Sequence, residues 1–160
     1  MKYHLHNRPD REITSVEEIA ELLKKGKYVT IAMCQDNEPY VVTLSYGYDS
    51  AGNALYFHAS HEGMKMDFLK ANPNVCATII EDGGYIQDEC AHQFKSLIIR
   101  GVMKLVEESE EKKYGMHILL NHLEEKPSVV QRLQLKSEGR FSTMAVLKLE
   151  IQELHGKAGK

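Results

Sequence analysis

The sequence has few of the features that mark a secreted or membrane-inserted protein. It contains only three cysteines, an odd number without metal-type spacing, which argues against a disulfide framework and favours reduced thiols. It contains no apolar run long enough to span a bilayer. The first residues, MKYHLHNRPDREI, are polar where a secretory signal needs an apolar stretch. These absences predict a cytoplasmic protein with no membrane partner.

Clustered positive charge is also scarce. Lys and Arg number 20 against 23 Asp and Glu, which gives a formal net charge of -3. The longest basic runs are the pairs Lys24-Lys25 and Lys112-Lys113. Binding to nucleic acid independently of its sequence requires several cations on one face. We therefore predict no nucleic-acid partner.

The composition is that of a folded globular protein, with 42% hydrophobic and 27% charged residues. A chain of 160 residues is long enough to bury one core. We predict a single domain over residues 1–160.

The first predicted element is a helix that begins at a capping box. Ser15 and Glu18 have the spacing at which a hydroxyl and a carboxylate satisfy the free N–H groups of a first turn. Its predicted apolar face consists of Val16, Ile19, Ala20 and Leu23. Further helices are predicted at Met64–Ala71, around Met116, Leu119, Leu120 and Leu123, and at Ser128–Lys136. Gly115 is expected to weaken the third of these four helices by about 1 kcal/mol.

Six segments have the composition and alternation of strands. In the second of them, Val42, Leu44, Tyr46 and Tyr48 are predicted on one face, and Val41, Thr43 and Ser45 on the other. Short antiparallel strands at such spacings favour a barrel, because closure removes exposed sheet edges. The prediction is a mainly β protein with flanking helices, a six-stranded antiparallel barrel. Its strands are Tyr28–Cys34, Pro39–Tyr48, Ala54–Ala59, Val75–Glu81, Phe94–Glu107 and Met144–Ile151.

One segment combines features of a phosphate site. A strand ends at His58, a loop of mostly small residues follows over 59–63, and Lys65 opens a helix. Small residues allow a ligand to approach the backbone, and a helix start offers free N–H groups with partial positive charge. The same pattern also fits an ordinary strand–loop–helix connection with a solvated lysine. The residues alone leave both interpretations open.

A metal site is a weaker interpretation. His58 with His61 and Cys90 with His92 supply four donor side chains of the types that zinc binds. The two pairs lie on different predicted elements, and neither has the spacing of a structural zinc site. We predict no bound metal. A loop over residues 84–93 is expected to place Cys90 and His92 over the substrate side of the site.

Several motifs in order resemble the pyridoxamine 5'-phosphate oxidase-like family of FMN-binding split barrels, and more narrowly its nitroimidazole-resistance branch. The resemblance covers nearly the whole chain. The matching segments are RPDREI, PYVVTLSYGY, YFHASHEGMKMDFL, NPNVC, FKSLIIRGVMKLVEESEEK and the tail LHGKAGK.

This resemblance implies a split-barrel fold, FMN as cofactor, and a homodimer with FMN at the subunit interface. It implies that Lys65 pairs with the FMN phosphate and that Ser96 contacts the flavin of the second subunit. Met64 stands where relatives commonly carry arginine beside the lysine. The remaining residues that it assigns to the flavin wall are Val42, Thr43, Leu44, Ser45, Tyr46, His58, Ala59 and Ser60.

The resemblance also implies a function. His58 is the expected catalytic residue, because a histidine facing the flavin pocket titrates near working pH and can orient an acceptor or deliver a proton. Since the chain lacks tryptophan and the tail ELHGKAGK lacks the family's substrate-binding pattern, oxidation of pyridoxamine 5'-phosphate itself is not expected. The expected activity is FMN-dependent reduction of a small, nitroaromatic-type acceptor. The alternative is a non-catalytic carrier or sensor of flavin, haem or deazaflavin, with His58, His61 or His92 as axial ligand in the haem case.

Overall fold

The computed structural model describes residues 8–128 and 144–159. Within them, eight strands form one antiparallel sheet that carries three α-helices, after a short 3-10 turn at Pro9–Arg11. The predicted helix Ser128–Lys136 lies outside the described residues except for its first position. The strands are β1 (Glu12–Ile13), β2 (Tyr28–Gln35), β3 (Glu38–Ser45), β4 (Gly47–Asp49), β5 (Ala54–Ala59), β6 (Asn74–Ile86), β7 (Ala91–Leu105) and β8 (Ala145–Gly159), and the helices are α1 (Val16–Lys25), α2 (Met64–Ala71) and α3 (Ser109–Leu123).

The predicted barrel is confirmed, and it closes through a bend at Tyr46. The strand order is β3-β2-β6-β7-β8-β5-β4, with β1 paired to β8. The two ends of this order, β3 and β4, are separated in the chain by Tyr46 alone. The segment predicted as one strand over Pro39–Tyr48 therefore pairs with β2 before the bend and with β5 after it. This division and the short β1 account for eight strands where six were expected.

The split in the barrel lies between β3 and β5. The β4–β5 ladder begins at Gly47 opposite Tyr56. Continuing its register by two residues aligns Ser45 with His58, but β3 forms no ladder with β5 and pairs with β2 along its other edge. This stretch without a ladder, between the end of β5 and the end of β3, is the opening of the barrel.

The predicted alternation along β3 and β4 is confirmed. Val42, Leu44, Tyr46 and Tyr48 all join the main hydrophobic cluster inside the barrel. The alternate residues Val41, Thr43 and Ser45 are exposed on the outer face of the sheet.

The predicted capping box of α1 is confirmed, and its apolar face differs in part from the prediction. Ser15 Oγ accepts the backbone N–H of Glu18 at 3.1 Å. Leu23 is buried as expected, but Val16 is 73% exposed and Leu22 is buried instead. Val16 is at the start of the helix.

α3 packs so closely on the sheet that glycines are required at two contacts. A Cβ on Gly47 would lie 2.5 Å from the Cα of Leu119. A Cβ on Gly115 would overlap the ring of Tyr56. The predicted apolar positions Met116 and Leu119 are buried with Tyr56 in a second hydrophobic cluster beneath the helix. Gly115 therefore serves packing, although the sequence marks it only as a weak point of the helix.

β6 and β7 form a longer hairpin than predicted. The expected strand end at Asp82 and the expected loop over 84–93 are wrong, because β6 continues to Ile86 and β7 begins at Ala91. The register shifts between Asp82 and Gly84, and Gly84 has a φ of 89°. Gly83 and Gly84 lie in this bulge, and the strand continues beyond them. β8 likewise continues past Ile151 to Gly159.

None of the helices in the described residues is both long and apolar enough to cross a membrane.

Candidate functional site

α2 begins as predicted at Met64, and its N-terminus is open. Gly63 occupies the N-cap with a φ of 114°, and no side chain caps the helix. The Gly63 carbonyl accepts the N–H groups of Met66 at 2.8 Å and Asp67 at 3.2 Å. The earlier N–H groups, those of Met64 and Lys65, have no acceptor within the helix. A Cβ on Gly63 would meet no atom within 4 Å, so space is open beside this turn.

Lys65 places a cation at this helix start. Its side chain is half-buried, and burial lowers the pKa of its ammonium below the usual range. None of the ion pairs found among the described residues involves Lys65. A partly desolvated ammonium beside free N–H groups has the charge and the donors that a phosphate dianion needs.

The opening between β3 and β5 is lined by polar side chains. His58 and Ser60, at the end of β5, are exposed on one side of it. Thr43 and Ser45 are exposed on β3 across the opening. The hydroxyl of Thr43 lies 3.0 Å from that of Thr30 on β2, which holds it on the outer face. These groups offer hydrogen bonds to a flat polar ligand lying outside the barrel.

Four residues predicted for the flavin wall turn their side chains inward. Val42 and Leu44 pack against the main core, and Ala59 is buried in it. Tyr46 is fully buried, and its hydroxyl donates to the carbonyl of Leu23 at 2.8 Å. The flavin contacts expected of these four residues stay predictions, with their side chains packed on the core side of the sheet.

Ser96 lies apart from these groups within one chain. It is half-buried on the outer face of β7, opposite Ile80 of β6 and Lys157 of β8. β2 and β6 separate β7 from β3, so the strand spacing places Ser96 about 14 Å from β3. Within one chain Ser96 is therefore not adjacent to β3.

Met64 is 60% exposed beside Lys65. Its thioether supplies no charge for an anion, so the helix start carries Lys65 as its cationic side chain in the first turn. The contact between Met64 and the cofactor remains a prediction.

Cys90 and His92 lie at the β6–β7 hairpin. His92 Nε2 is 2.7 Å from Asp82 Oδ1, and this hydrogen bond lowers the pKa of the Asp82 carboxyl. The His92 ring also packs edge-on against Tyr85, with centroids 6.2 Å apart. Within residues 8–128 and 144–159, no group of three or more His, Cys, Asp or Glu is placed to hold a metal ion. His92 is therefore engaged with its own hairpin.

The outer face of the sheet carries a groove that the sequence did not predict. It has a volume of about 550 Å³, and Cys34, Cys76, Arg100 and Glu153 are among its lining residues. Cys34 is exposed and Cys76 half-buried, so neither thiol fills the barrel core as a small apolar residue. The strand alternation that puts Ser96 on the outer face also puts Arg100 there, and this signal was available in the sequence.

A family model described as pyridoxamine 5'-phosphate oxidase matches residues 15–158. The fold, the split between β3 and β5 and the anion-type site at α2 define a split-barrel protein. The chain belongs to the pyridoxamine 5'-phosphate oxidase family.

Individual relatives are more distant. An uncharacterised protein of Rhizobium meliloti (strain 1021) is 32% identical over 89 residues, and the match spans 56% of this chain and about half of that protein (53%). A solved structure described as a 5-nitroimidazole antibiotic resistance protein from Bacteroides thetaiotaomicron is similar with a TM-score of 0.78 and 24% identity, over 92% of this chain and 86% of that one. The FAD and heme binding protein from Mycobacterium smegmatis is similar with a TM-score of 0.77 and 18% identity, over 94% and 74%. At these identities the two structures establish the shared fold.

Proposed function

We propose that this protein is a cytoplasmic FMN-binding oxidoreductase that reduces small acceptors, nitroaromatic compounds among them. Residues 1–160 form one flavin-binding domain in this proposal, and two copies form a homodimer with FMN at the interface. Family membership supports a phosphate-bearing ligand, and the site at α2 supports its orientation.

The half-buried Lys65 at the open start of α2 carries the proposal. The ammonium has lost part of its hydration without gaining a carboxylate partner among the described residues. A buried charge is stabilised only when it is paired and hydrogen-bonded. The phosphate of FMN supplies the missing anion, and the N–H groups of Met64 and Lys65 supply further hydrogen bonds to it.

The groups along the split hold the rest of the cofactor. The hydroxyls of Thr43, Ser45 and Ser60 and the backbone of β3 offer donors and acceptors to the edge of a ring system. FMN, when bound, supplies two-electron transfer, and the chain supplies binding, orientation and electrostatics.

His58 supplies an imidazole on this opening. It is exposed at the end of β5 and aligned with Ser45 across the split. Its imidazole orients an acceptor through a hydrogen bond and holds or releases a proton at a ring nitrogen. This role is distinct from holding the cofactor.

A second copy supplies the opposite wall. The outer sheet face carries exposed apolar side chains, including Tyr28, Val41 and Ile80. Ser96 lies on the same face, on a strand that β2 and β6 separate from β3. A partner docked on this face would bring its Ser96 to the flavin of the first chain and cover the apolar residues.

The relatives also favour an alternative, a non-catalytic carrier of flavin or haem, because one similar structure is described as binding both FAD and heme. The absorbance spectrum of the purified protein distinguishes the ligands, since flavin gives two visible bands and haem a Soret band. Acid release followed by chromatography separates FMN from FAD.

Released FMN at about one per chain, with NADH- or dithionite-supported reduction of a nitroaromatic probe, is the expected outcome. Released FAD or haem would replace the cofactor assignment. Bound FMN without reduction of any probe would favour the alternative, a non-catalytic carrier. A protein that cannot be reconstituted with any flavin would refute the proposal.

A further inference from the structure

Tyr46, at the bend that closes the barrel, is anchored on three sides. Its backbone N–H donates to the carbonyl of Lys27 at 3.2 Å. Its hydroxyl donates to the carbonyl of Leu23 at 2.8 Å. Its ring packs on the imidazole of His122, with centroids 5.0 Å apart. The residue immediately before it, Ser45, is exposed at the split.

The same residues join the C-terminal ends of two helices. His122, in the last turn of α3, has its Nε2 2.6 Å from the carbonyl oxygen of Gly26, which follows α1. In return, Lys27 Nζ donates to the carbonyl oxygen of His122 at 2.5 Å. Each helix end thus provides a donor for a carbonyl at the other, where helices leave carbonyls without partners.

This junction has little free space. A Cβ on Gly26 would overlap the Tyr46 hydroxyl and lie 2.9 Å from Cγ2 of Ile79. Gly26, Tyr46 and Ile79 are thus already in contact. Because His122 at the end of α3 bonds to Gly26 and packs on Tyr46, a shift of that helix end would displace the bend.

We propose that Tyr46 and His122 are positioning residues for the flavin site. They act through the bend, which fixes where β3 leaves β5 and so where Ser45 lies relative to His58. The inference rests on the proposed function, since it identifies what holds one wall of that flavin site.

The carbonyl oxygen of Gly26 is an acceptor, so the neutral ring donates through Nε2 and its Nδ1 carries no proton. Protonation at Nδ1 would keep that bond but place a half-buried cation beside the Lys27 ammonium, which loosens the junction. Burial lowers the pKa of His122, the bond to Gly26 raises it, and the neighbouring Lys27 ammonium lowers it. The groups facing the ring are Lys27 beyond α1 and Tyr46 at the bend, whose own pKa is raised by burial so that it stays a neutral donor.

The lowered pKa of His122 determines the direction in which the stability of the junction changes with pH. The neutral, bonded form prevails in the folded protein at pH values above the ordinary histidine pKa of about 6.5. As the pH falls below that value, the unfolded or detached state takes up a proton more readily, so the junction weakens. Flavin affinity is expected to fall with it.

The test measures the flavin dissociation constant against pH for the wild type and for His122→Asn, whose amide is a neutral donor over the whole range. The affinity of the wild type should fall below pH ~6.5 by up to about tenfold per pH unit, the limit for one coupled proton. His122→Asn should lack this component. His117→Asn, which replaces an exposed histidine elsewhere on α3, serves as a control and should keep the wild-type slope. An unchanged slope in His122→Asn would overturn the proposal.

A second pair of variants tests the bend directly. Tyr46→Phe keeps the ring and removes the bond to Leu23, and we expect it to weaken flavin binding several-fold. Tyr48→Phe changes a half-buried neighbour whose hydroxyl makes no such bond to a carbonyl among the described residues, and it should bind as the wild type does. Equal affinity in both variants would exclude Tyr46 as a positioning residue.

A measurement without flavin separates this inference from the proposed function. Hydrogen exchange in the last turn of α3, where the N–H of Glu124 bonds to Leu120, reports on the junction alone. Exchange should accelerate below pH ~6.5 relative to the intrinsic rate in the wild type but not in His122→Asn. That result without any flavin binding would retain the junction and refute only the proposed function, whereas equal protection profiles would refute the junction.

Discussion

Gly115 of α3 lies directly against the ring of Tyr56 on β5, so that an added Cβ would overlap Cδ1 and lie 2.9 Å from Cε1. The contact also places that Cβ 3.1 Å from Cγ1 of Val146 on β8. Both neighbours are buried and belong to the cluster beneath α3. α3 therefore packs on the outside of the barrel at a distance that only glycine permits.

This contact predicts whether Gly115→Ala raises or lowers the free energy of unfolding. Helix propensity alone predicts that Gly115→Ala stabilises the protein by about 1 kcal/mol. The overlap with Tyr56 predicts instead a net destabilisation of about 1–3 kcal/mol. Urea unfolding measures the difference in free energy, with His117→Ala, at an exposed position of the same helix, as the control. A Gly115→Ala variant more stable than the wild type would contradict the observed packing.

Lys65→Ala is expected to weaken flavin binding while leaving the fold intact. Hydrogen bonds to a charged group contribute about 1.5–3 kcal/mol, which corresponds to a loss of roughly tenfold to hundredfold in affinity. Flavin fluorescence titration measures the affinity, and thermal unfolding checks the fold. Lys70→Ala, in the last turn of α2, removes the same charge away from the helix start and should bind normally. Equal affinities for the two variants would remove Lys65 from the phosphate site.

The lowered pKa of Lys65 predicts how affinity changes at alkaline pH. A phosphate stabilises the ammonium and raises its pKa on binding, so binding requires the charged form. Affinity should be constant between the histidine range near pH ~6.5 and the pKa of Lys65 in the free protein, and it should decline as the pH rises through the latter. Lys65→Arg, which stays charged throughout, should abolish this decline. A decline of the same size in both proteins would show that another group titrates.

His58→Asn should bind flavin with near wild-type affinity and reduce acceptors more slowly. General acid–base catalysis contributes about 10²–10⁴-fold, so the loss in kcat is expected within that range. Stopped-flow reoxidation by a nitroaromatic probe measures it, and Ser60→Ala, on the same exposed edge, is the comparison. Full activity in His58→Asn would leave the histidine without a catalytic role.

The apolar outer face predicts the effect of a charge on assembly. Ile80→Lys places a cation in the centre of the proposed interface, where Ile80 is 63% exposed in one chain. The variant should run as a monomer in sedimentation experiments and lose flavin. Val16→Lys, at a 73% exposed position on α1, should remain a dimer. A wild type that is monomeric at all concentrations with bound flavin would contradict the interface.

Local patterns were predictable because short-range physics determines them. Ser15 and Glu18 marked the start of α1, and alternation placed Val42, Leu44 and Tyr46 inside the barrel. Met64–Ala71 was bounded correctly, since Gly63 precedes it and Asn72-Pro73 cannot continue a helix. The order of motifs also identified the family, whose model matches residues 15–158.

Other features depended on contacts between distant segments. Glycines at positions 83 and 84 indicated the end of a strand, but pairing with β7 carries β6 past them through a bulge. Val16 fits an apolar helical face, yet it is 73% exposed in the folded chain. Likewise, alternation put Val42 and Leu44 on one face of their strand, but only the closed barrel showed that this face is the inner one.

The sequence by itself determined the secondary structure, the strand faces and the chemical groups near Lys65 and His58, because capping, alternation and turn chemistry act over a few residues. Only the tertiary structure decided where the barrel opens and what holds it there. The bend at Tyr46 divides one continuous strand pattern, so that the part before it pairs with β2 and the part after it pairs with β5. Carbonyls and side chains at Leu23, Gly26 and His122 fix that bend, and these groups meet only after the chain has folded.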